Sequence, residues 1–162
     1  MIDPSLPAWL VYCRPGFERD CIDETQAKPV EAIENSGYLL LQGKARLAYK
    51  QLAFARQLLK LHGEVTGLPE RDRLTPLLDA IPQEPSRFGA LFLEVPDTND
   101  GKTLSGFTKR FQPLIEQALR DGERLVDDPA LPRLHIFFPS EDRALIASSD
   151  PANSSDAHMG IH

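Results

Sequence analysis

The apolar positions of the chain fall in short runs, and the first run predicts a strand close to the amino terminus. AWLVYC (residues 8–13) is apolar and rich in strand-forming residues, and Arg-Pro-Gly follows it as a turn signal. From Phe17 the pattern becomes polar, with Phe17 and Cys21 four residues apart as on one face of a helix. We therefore predict a strand, a turn and a helix, with Cys13 ending the strand and Cys21 facing the core.

The next forty residues predict a hairpin followed by a helix and a further strand. VEAIEN and YLLLQG flank turn residues at positions 35–37. KARLAYKQLAFARQLLKLHG (residues 44–63) has a helical period throughout, although period alone does not assign short apolar runs. A helix to about Gln51 and then a strand over residues 54–61 would complete a βαββαβ order, and the family resemblance described below favours this assignment.

The second half of the chain predicts the order helix, strand, helix, strand, strand. Residues 69–81 form a helical pattern that is interrupted or restarts at Pro76, and residues 88–95 read as a buried strand. An apolar stripe at helical spacing follows, in which Pro113 must start a new segment or introduce a kink. RLHIFF and RALIASS then predict a closing hairpin. The fold class is α+β, with helices on one face of a mostly antiparallel sheet.

Charge is distributed unevenly along a chain whose formal net charge is −6. A basic balance is the usual footprint of a nucleic-acid-binding domain, so the total charge argues against that class. Residues 44–63, however, hold five Lys or Arg and no acidic residue, and residues 102–120 hold four against one. Two basic segments therefore stand in an acidic chain.

Cys13 and Cys21 are the only two cysteines of the sequence. No histidine lies at a ligand-like spacing from them and no Cys-x-x-Cys pair is present, so we expect reduced, packed thiols and no metal. This favours a cytoplasmic protein. No window approaches the roughly 18 apolar residues that a membrane span needs, and we expect neither a membrane segment nor a secretory signal.

Basic side chains without acidic neighbours are the candidate binding residues. On the helix predicted after residue 101, Phe107 and Phe111 face inward, and we expect them in the core rather than stacked on bases. The basic side chains face outward, where they could neutralise phosphates, although an ordinary solvated helix face is the alternative. The candidate residues in the two segments are Lys44, Arg46, Lys50, Arg56, Lys60, Lys102, Lys109 and Arg110.

No catalytic signature accompanies these residues. The sequence contains no glycine-rich phosphate loop after a strand, no Gly-x-Ser-x-Gly elbow and no His-Glu-x-x-His helix. The adjacent carboxylates Asp127 and Asp128 lie in a turn-like segment, where we expect exposure. We therefore expect this chain by itself not to be catalytic.

Nine short segments run in order through nearly the whole chain: VYCRPGFERDC, NSGYLL, FARQ, DRLTPLL, EVPDTNDGKTL, FTKRF, ALRDG, LHIFF and HMGIH. In combination they resemble the amino-terminal half of the bacterial 23S ribosomal RNA ribose 2'-O-methyltransferase M family. The CRPGFE segment, the DTN-x-x-K-x-L segment and the closing MGI are the most specific parts of this resemblance.

The resemblance implies a ferredoxin-like subdomain over residues 1–66, a THUMP RNA-binding domain over residues 67–150 and a tail or linker over residues 151–162. In that family a Rossmann-like domain follows, which binds S-adenosylmethionine and carries a catalytic Lys-Asp-Lys-Glu set. We therefore expect the sequence to be a piece of a longer protein, with no cofactor in this chain. The implied partners are 23S ribosomal RNA and the catalytic domain of the same protein, and we expect a monomer.

Two other functions stay open. A module that docks a catalytic protein partner without touching RNA would expose an apolar patch on the order of several hundred Å² rather than a basic surface. A small-molecule-binding domain of ferredoxin-like type would need convergent polar residues, which the sequence does not show.

Overall fold

Seven strands and three helices make up the regular structure of the residues described by the computed structural model. The structure describes residues 7–43, 53–96 and 98–150, with the side chains of residues 99–101 excepted. The chain divides into two compact units, the first with described residues up to Leu61 and the second beginning at His62. In the part of the chain so described, no helix combines the length and the apolar character required to cross a membrane.

The first unit is a four-stranded antiparallel arrangement with one described helix. Its strands are hydrogen-bonded in the order β2-β3-β1-β4, and all five residues of β3 are buried, as expected of a central strand. The predicted first strand, helix, hairpin and fourth strand are confirmed. The elements are β1 (Ala8–Cys13), α1 (Glu18–Thr25), β2 (Lys28–Ala32), β3 (Tyr38–Gln42) and β4 (Ala55–Val65), whose last residues belong to the second unit.

The Pro-Gly turn between β1 and α1 has the geometry that its sequence predicts. The Phe17 N–H donates to the Arg14 carbonyl at 3.1 Å, and Gly16 has a φ of 99°. A hydrogen-bonded turn with proline second and a positive φ third is of type II, where glycine avoids the steric cost of that backbone conformation. The turn sends the chain directly into α1.

In the second unit one central strand, β6, has a parallel neighbour on one side and an antiparallel neighbour on the other. β5 and β6 are parallel because α3 crosses between them, and β6 and β7 are antiparallel. The predicted long helix and closing hairpin are confirmed. The preceding helix is shorter than the predicted residues 69–81, since it begins at Leu74 and contains Pro76 without a restart. The strand predicted over residues 88–95 is present in part, and only Leu91 of the observed strand is buried. The elements are α2 (Leu74–Ala80), β5 (Ala90–Glu94), α3 (Asn99–Asp121), β6 (Arg133–Ser140) and β7 (Arg143–Ser149).

Helices α2 and α3 cover one face of the strands in the second unit. Leu134, Ile136 and Phe138 alternate along β6 and join the helices in one buried apolar cluster. Other members of the cluster are Leu77 from α2 and Ile115 from α3, each completely buried. Helices therefore lie against one face of the strands here, as predicted.

The long helix α3 runs without interruption through Pro113. The expectation that Pro113 starts a new segment is therefore wrong, and the alternative, a kink at this proline, stays a prediction. Pro113 cannot donate to the carbonyl of Lys109, but both residues are exposed, so that carbonyl can bond to water instead. A proline on the solvent side of a helix is tolerated for this reason.

Gly89 marks a close approach of two backbones in the second unit. A Cβ placed on Gly89 would lie 2.0 Å from the Asp128 carbonyl oxygen, which no side chain can occupy. Phe88 and Leu125 form an isolated bridge here, and the Gly89 N–H donates to the Pro132 carbonyl at 2.9 Å. The glycine thus lets the segment after α3 pack against the entry to β5.

Candidate nucleic-acid interface

Helix α3 is held in place by an aromatic cluster on its inner face. Phe107 and Phe111 are each 8% exposed, and their rings meet Phe138 of β6 edge-on, with centroids 5.2 and 6.4 Å apart. Edge-to-face contacts of this kind add specific geometry to apolar burial. The prediction that both phenylalanines face the core is confirmed, and the outer face of α3 is consequently fixed.

Three of the predicted basic residues lie on that outer face. Lys102, Lys109 and Arg110 are exposed, and no carboxylate among the residues that the structure describes forms an ion pair with them. Lys109 follows Lys102 by two helical turns, which corresponds to a rise of about 10 Å, and Arg110 lies beside it. The helix therefore presents three fixed positive charges to solvent.

Three other arginines of the second unit are already neutralised or engaged, whereas Arg71 and Arg87 are exposed like the candidates. Arg120, near the end of α3, bonds to Asp127 at 3.1 Å and to Glu116 at 3.5 Å. Arg143 bonds to Glu64 at 2.5 Å, and the Arg73 guanidinium lies 4.8 Å from the centre of the Phe107 ring. The contrast separates the three candidate cations of α3 from basic residues with structural contacts.

The first unit contains the other described candidates, Arg56 and Lys60, both on β4. Lys60 is exposed and is the register partner of Trp9, whose indole N–H donates to the Gly43 carbonyl at 3.1 Å. Lys60 therefore lies at the sheet end where the chain leaves β3 for Lys44. Arg56 sits in a β-bulge, is half-buried and interacts with other residues of the chain, so it is less available.

The remaining candidates cannot be placed. Lys44, Arg46 and Lys50, together with the helix predicted to reach Gln51, lie outside the described residues. Their proposed role stays a prediction, as do the domain boundaries at residues 66 and 150.

The buried carboxylate of Glu18 organises the loops at one end of the first unit. Its two oxygens accept hydrogen bonds from the backbone N–H groups of Gly16, Asn35 and Gly37 at 2.9–3.3 Å, although Glu18 is only 3% exposed. Burial alone raises the pKa of this carboxyl, but the backbone N–H bonds outweigh it, so that the pKa lies below its ordinary value. Glu18 therefore ties the Pro-Gly turn to the β2–β3 turn.

A second carboxylate fixes the entry to β4. Glu24, near the end of α1, accepts hydrogen bonds from the backbone N–H groups of Ala53, Phe54 and Ala55 at 2.5, 3.0 and 2.8 Å. Three successive donors on one carboxylate hold this stretch of backbone in a single conformation. Neither role is predictable from the sequence pattern, in which the two glutamates are ordinary acidic residues at the start and the end of a helix.

The two cysteines are free and buried, as predicted. The Cys13 thiol lies 3.8 Å from a Glu18 oxygen, and its hydrogen bond with Cys21, together with burial, raises the pKa of the Cys21 thiol. A thiol with a raised pKa is a poor nucleophile and a poor metal ligand. The pair is therefore a packing element, and the described residues contain no cluster of three metal-ligating side chains.

An exposed aromatic pair lies beside these loops. Phe17 and Phe54 are 41% and 39% exposed, and their rings stack with centroids 5.7 Å apart and planes inclined by 18°. Sequence reasoning placed Phe17 on the same helical face as buried Cys21 and did not single it out. The usable signal was its position directly after a Pro-Gly turn, where a side chain is apt to be exposed.

A polar centre of different design lies in the second unit. His135 on β6 is 2% exposed, with Nδ1 2.7 Å from a Glu94 oxygen and Nε2 2.8 Å from the Ser149 hydroxyl. The ring of Phe92 stacks on the imidazole with centroids 5.3 Å apart. Each partner lies on a strand neighbouring β6, so the histidine links three strands.

Comparison with known proteins locates these features in two family domains. Residues 6–45 match the model described as RlmM ferredoxin-like domain, and residues 72–150 match that described as Ribosomal RNA large subunit methyltransferase M, N-terminal. The first match contains Phe17 of the aromatic pair and the buried Glu18, and the second contains the basic face of α3.

Curated relatives share this similarity over most of the chain. The Ribosomal RNA large subunit methyltransferase M of Laribacter hongkongensis is 42% identical over 166 aligned residues, covering 94% of this chain and 46% of the relative. The protein of the same name from Tolumonas auensis is 39% identical, with the same coverage. The chain spans about half the length of the curated relatives it matches.

Solved structures with low sequence identity share the fold. TrmN from Thermus thermophilus aligns with a TM-score of 0.57 at 17% identity, over 94% of this chain and 48% of its own. A possible methylase from Clostridium difficile aligns with a TM-score of 0.54 at 14% identity, over 88% of this chain and 41% of its own. At these identities the likeness concerns the fold alone.

Proposed function

The chain belongs to the ribosomal RNA large subunit methyltransferase M family, of which it represents the amino-terminal half, and we propose that it binds RNA for a catalytic domain. In this proposal the parent protein is a 23S ribosomal RNA ribose 2'-O-methyltransferase. The chain supplies affinity and register, because methyl transfer to a ribose hydroxyl requires the two reactants to be held in line.

The observation that carries the proposal is the fixed basic face of α3. Three exposed cations without described acidic partners stand on a helix whose opposite face is anchored by Phe107 and Phe111. Cations in this arrangement bind phosphates and release the counterions condensed around them. Lys102, Lys109 and Arg110 are thus the proposed phosphate contacts of the THUMP domain.

Lys60 extends the proposal to the first unit. Lys44, Arg46 and Lys50 lie outside the described residues and stay proposed contacts on the basic sequence of their segment alone. Arg56 is a weaker candidate because it is half-buried and already engaged. The proposed contacts give recognition of RNA shape and backbone, with little reading of bases.

S-adenosylmethionine and the catalytic residues belong, in this proposal, to a region of the parent protein outside this chain. The connection from β5 through α3 to β6 joins two parallel strands, as in many cofactor-binding folds. Directly after β5, however, Val95 and Pro96 stand where a cofactor loop would need glycines. These residues do not fit the cofactor. The catalytic domain of the same protein is the proposed protein partner, and we propose a cytoplasmic, monomeric protein.

The test is a salt titration of RNA binding. We expect the chain to bind a hairpin RNA with a paired stem and an unpaired loop, and to bind it far more weakly at 200 than at about 50 mM salt. The triple variant Lys102→Ala, Lys109→Ala, Arg110→Ala should weaken binding. It should also make the negative slope of log K against log salt shallower by roughly two to three.

Arg120→Ala is the matched control on the same helix. Its charge is already paired with Glu116 and Asp127, so affinity and salt slope should stay close to those of the original chain. Absence of RNA binding at low salt, or binding that salt does not weaken, would reject the proposed function. The protein-docking alternative would then be preferred.

A further inference from the structure

Phe17 and Phe54 form the feature of the first unit that phosphate binding leaves unexplained. Two aromatic rings that are 41% and 39% exposed keep apolar surface in contact with water, which costs free energy. They instead stack on one another with a centroid separation of 5.7 Å. The result is a partly exposed aromatic stack at the start of α1 and the start of β4.

The backbone beneath each ring is held by hydrogen bonds. The Phe17 N–H donates to Arg14 in the Pro-Gly turn, and the Phe17 carbonyl accepts from Cys21 at 3.1 Å. The Phe54 N–H donates to the Glu24 carboxylate at 3.0 Å. Both rings therefore stand on fixed backbone, and binding to them loses little conformational entropy.

Two arginines stand beside the pair, in a segment (residues 14–24) that also holds four acidic residues. Arg14 and Arg19 are exposed, three residues before and two residues after Phe17, and arginine pairs with phosphate through its planar guanidinium. The carboxylates of Glu18 and Glu24 are turned towards backbone N–H groups. Asp20 and Asp23 equal the two arginines in number, so stacking has to supply the affinity of this site and the arginines act only as local phosphate partners.

We propose that Phe17 and Phe54 are a stacking platform for an unpaired RNA base, with Arg14 and Arg19 beside the adjoining phosphates. Every nucleobase has a π-face, so a platform of this kind accepts bases without strong sequence preference. The proposal rests on the proposed function and adds a different kind of contact to it. The basic face of α3 binds backbone, whereas the platform distinguishes unpaired from paired RNA.

The experiment uses two RNA probes of the same length. One is a hairpin with 2-aminopurine at an unpaired loop position, and the other is a closed duplex with 2-aminopurine in a base pair. We expect the chain to quench the fluorescence of the loop probe on binding, because the base stacks. Phe17→Ala and Phe54→Ala should each weaken loop binding about 5- to 100-fold, the range measured for loss of a base-stacking ring.

Three controls separate stacking from misfolding and from charge. Phe17→Leu keeps an apolar side chain on the same backbone, should melt like the original chain, and should still lose loop affinity. Leu114→Ala removes an apolar side chain that is 60% exposed on α3 and should change neither probe. The salt slope should be unaltered in the phenylalanine variants, because no phosphate contact is removed.

The outcomes distinguish this proposal from the one before it. Unchanged loop affinity in both phenylalanine variants, with weakened binding in the α3 triple variant, would overturn the platform and leave the proposed function standing. Equal losses for loop and duplex would also overturn it. So would variants that bind RNA normally but no longer bind the downstream half of a family member added separately, because the platform would then be a protein contact.

Discussion

Glu18 in the first unit and His135 in the second are both ionisable and almost completely buried, yet their partners differ. Glu18 is surrounded by backbone N–H groups from two turns, whereas His135 bonds only to side chains among its described contacts, Glu94 and Ser149. The first arrangement fixes the path of loops. The second joins strands that the backbone ladder already holds.

The different hydrogen-bond partners of Glu18 and His135 explain which loops can hold an exposed functional side chain in place. A carboxylate that satisfies several backbone donors replaces the regular hydrogen bonds that loops lack, so the loops around Gly16 and Asn35 can hold a ring in the open. The strands around His135 need no such support. We therefore expect replacement of Glu18 to affect stability and surface geometry together, and replacement of His135 to affect stability alone.

The largest effect is expected for Glu18→Ala. Three backbone N–H groups would lose their acceptor in a site that is 3% exposed, which should lower the free energy of unfolding by about 3–5 kcal/mol. Chemical denaturation of the two proteins measures the difference. A loss below about 1 kcal/mol would show that water replaces the carboxylate, and that Glu18 does not hold the two turns in place.

Lowering the pH should remove the stabilisation by Glu18 without replacing the side chain by a smaller one. Backbone N–H groups hold the pKa of Glu18 below its ordinary value in the folded chain, so its contribution to stability is complete above the ordinary pKa and is lost as the pH falls through the folded pKa. The stability difference between the original chain and Glu18→Gln should therefore shrink between pH 6 and pH 3. A difference that is constant over this range would contradict the assignment.

A smaller loss is expected for His135→Leu. Leucine fills similar volume but leaves Ser149 without its partner, while Glu94, whose side chain is 27% exposed, can turn to water. We expect a loss of about 1–3 kcal/mol in thermal or chemical denaturation. RNA binding measured on the folded variant should be unchanged, and a large change would show that the two centres are not separate in function.

Glu24→Gln should have a modest effect on stability and a clearer one on the aromatic pair. The site is part-exposed and water can reach the freed donors, so the loss should be about 1 kcal/mol. If Glu24 positions Phe54, loop-RNA affinity should fall while duplex affinity does not. Retained loop affinity would show that Phe54 is positioned without the carboxylate.

The smallest effect is expected for Arg120→Ala. Its ion pairs with Glu116 and Asp127 involve exposed side chains, and such pairs contribute at most about 0.5 kcal/mol each. The melting temperature should therefore barely change. A larger loss would mean that exposed charges of α3 stabilise the helix, so that weaker RNA binding by the Lys102, Lys109 and Arg110 variants could come from a less stable helix.

Much of the fold followed from local patterns in the sequence. β1, α1 and the β2–β3 hairpin were predictable because apolar spacing and turn residues act over a few positions. The inward placement of Phe107 and Phe111, and the outward placement of Lys102 and Lys109, follow from helical period alone. A new segment at Pro113 was wrongly expected, because the local rule does not say whether the carbonyl that the proline leaves free meets water or protein.

The sequence by itself thus determined the elements, the family and the separation of apolar and basic faces, since each depends on short spacing or on ordered motifs. Only the tertiary structure decided that Glu18 and Glu24 bond to distant turns, that Phe17 meets Phe54, and that Arg120 is paired while Lys109 is not. These contacts join residues 7–37 positions apart. No local pattern encodes them, because they depend on where the packed strands and helix bring remote loops.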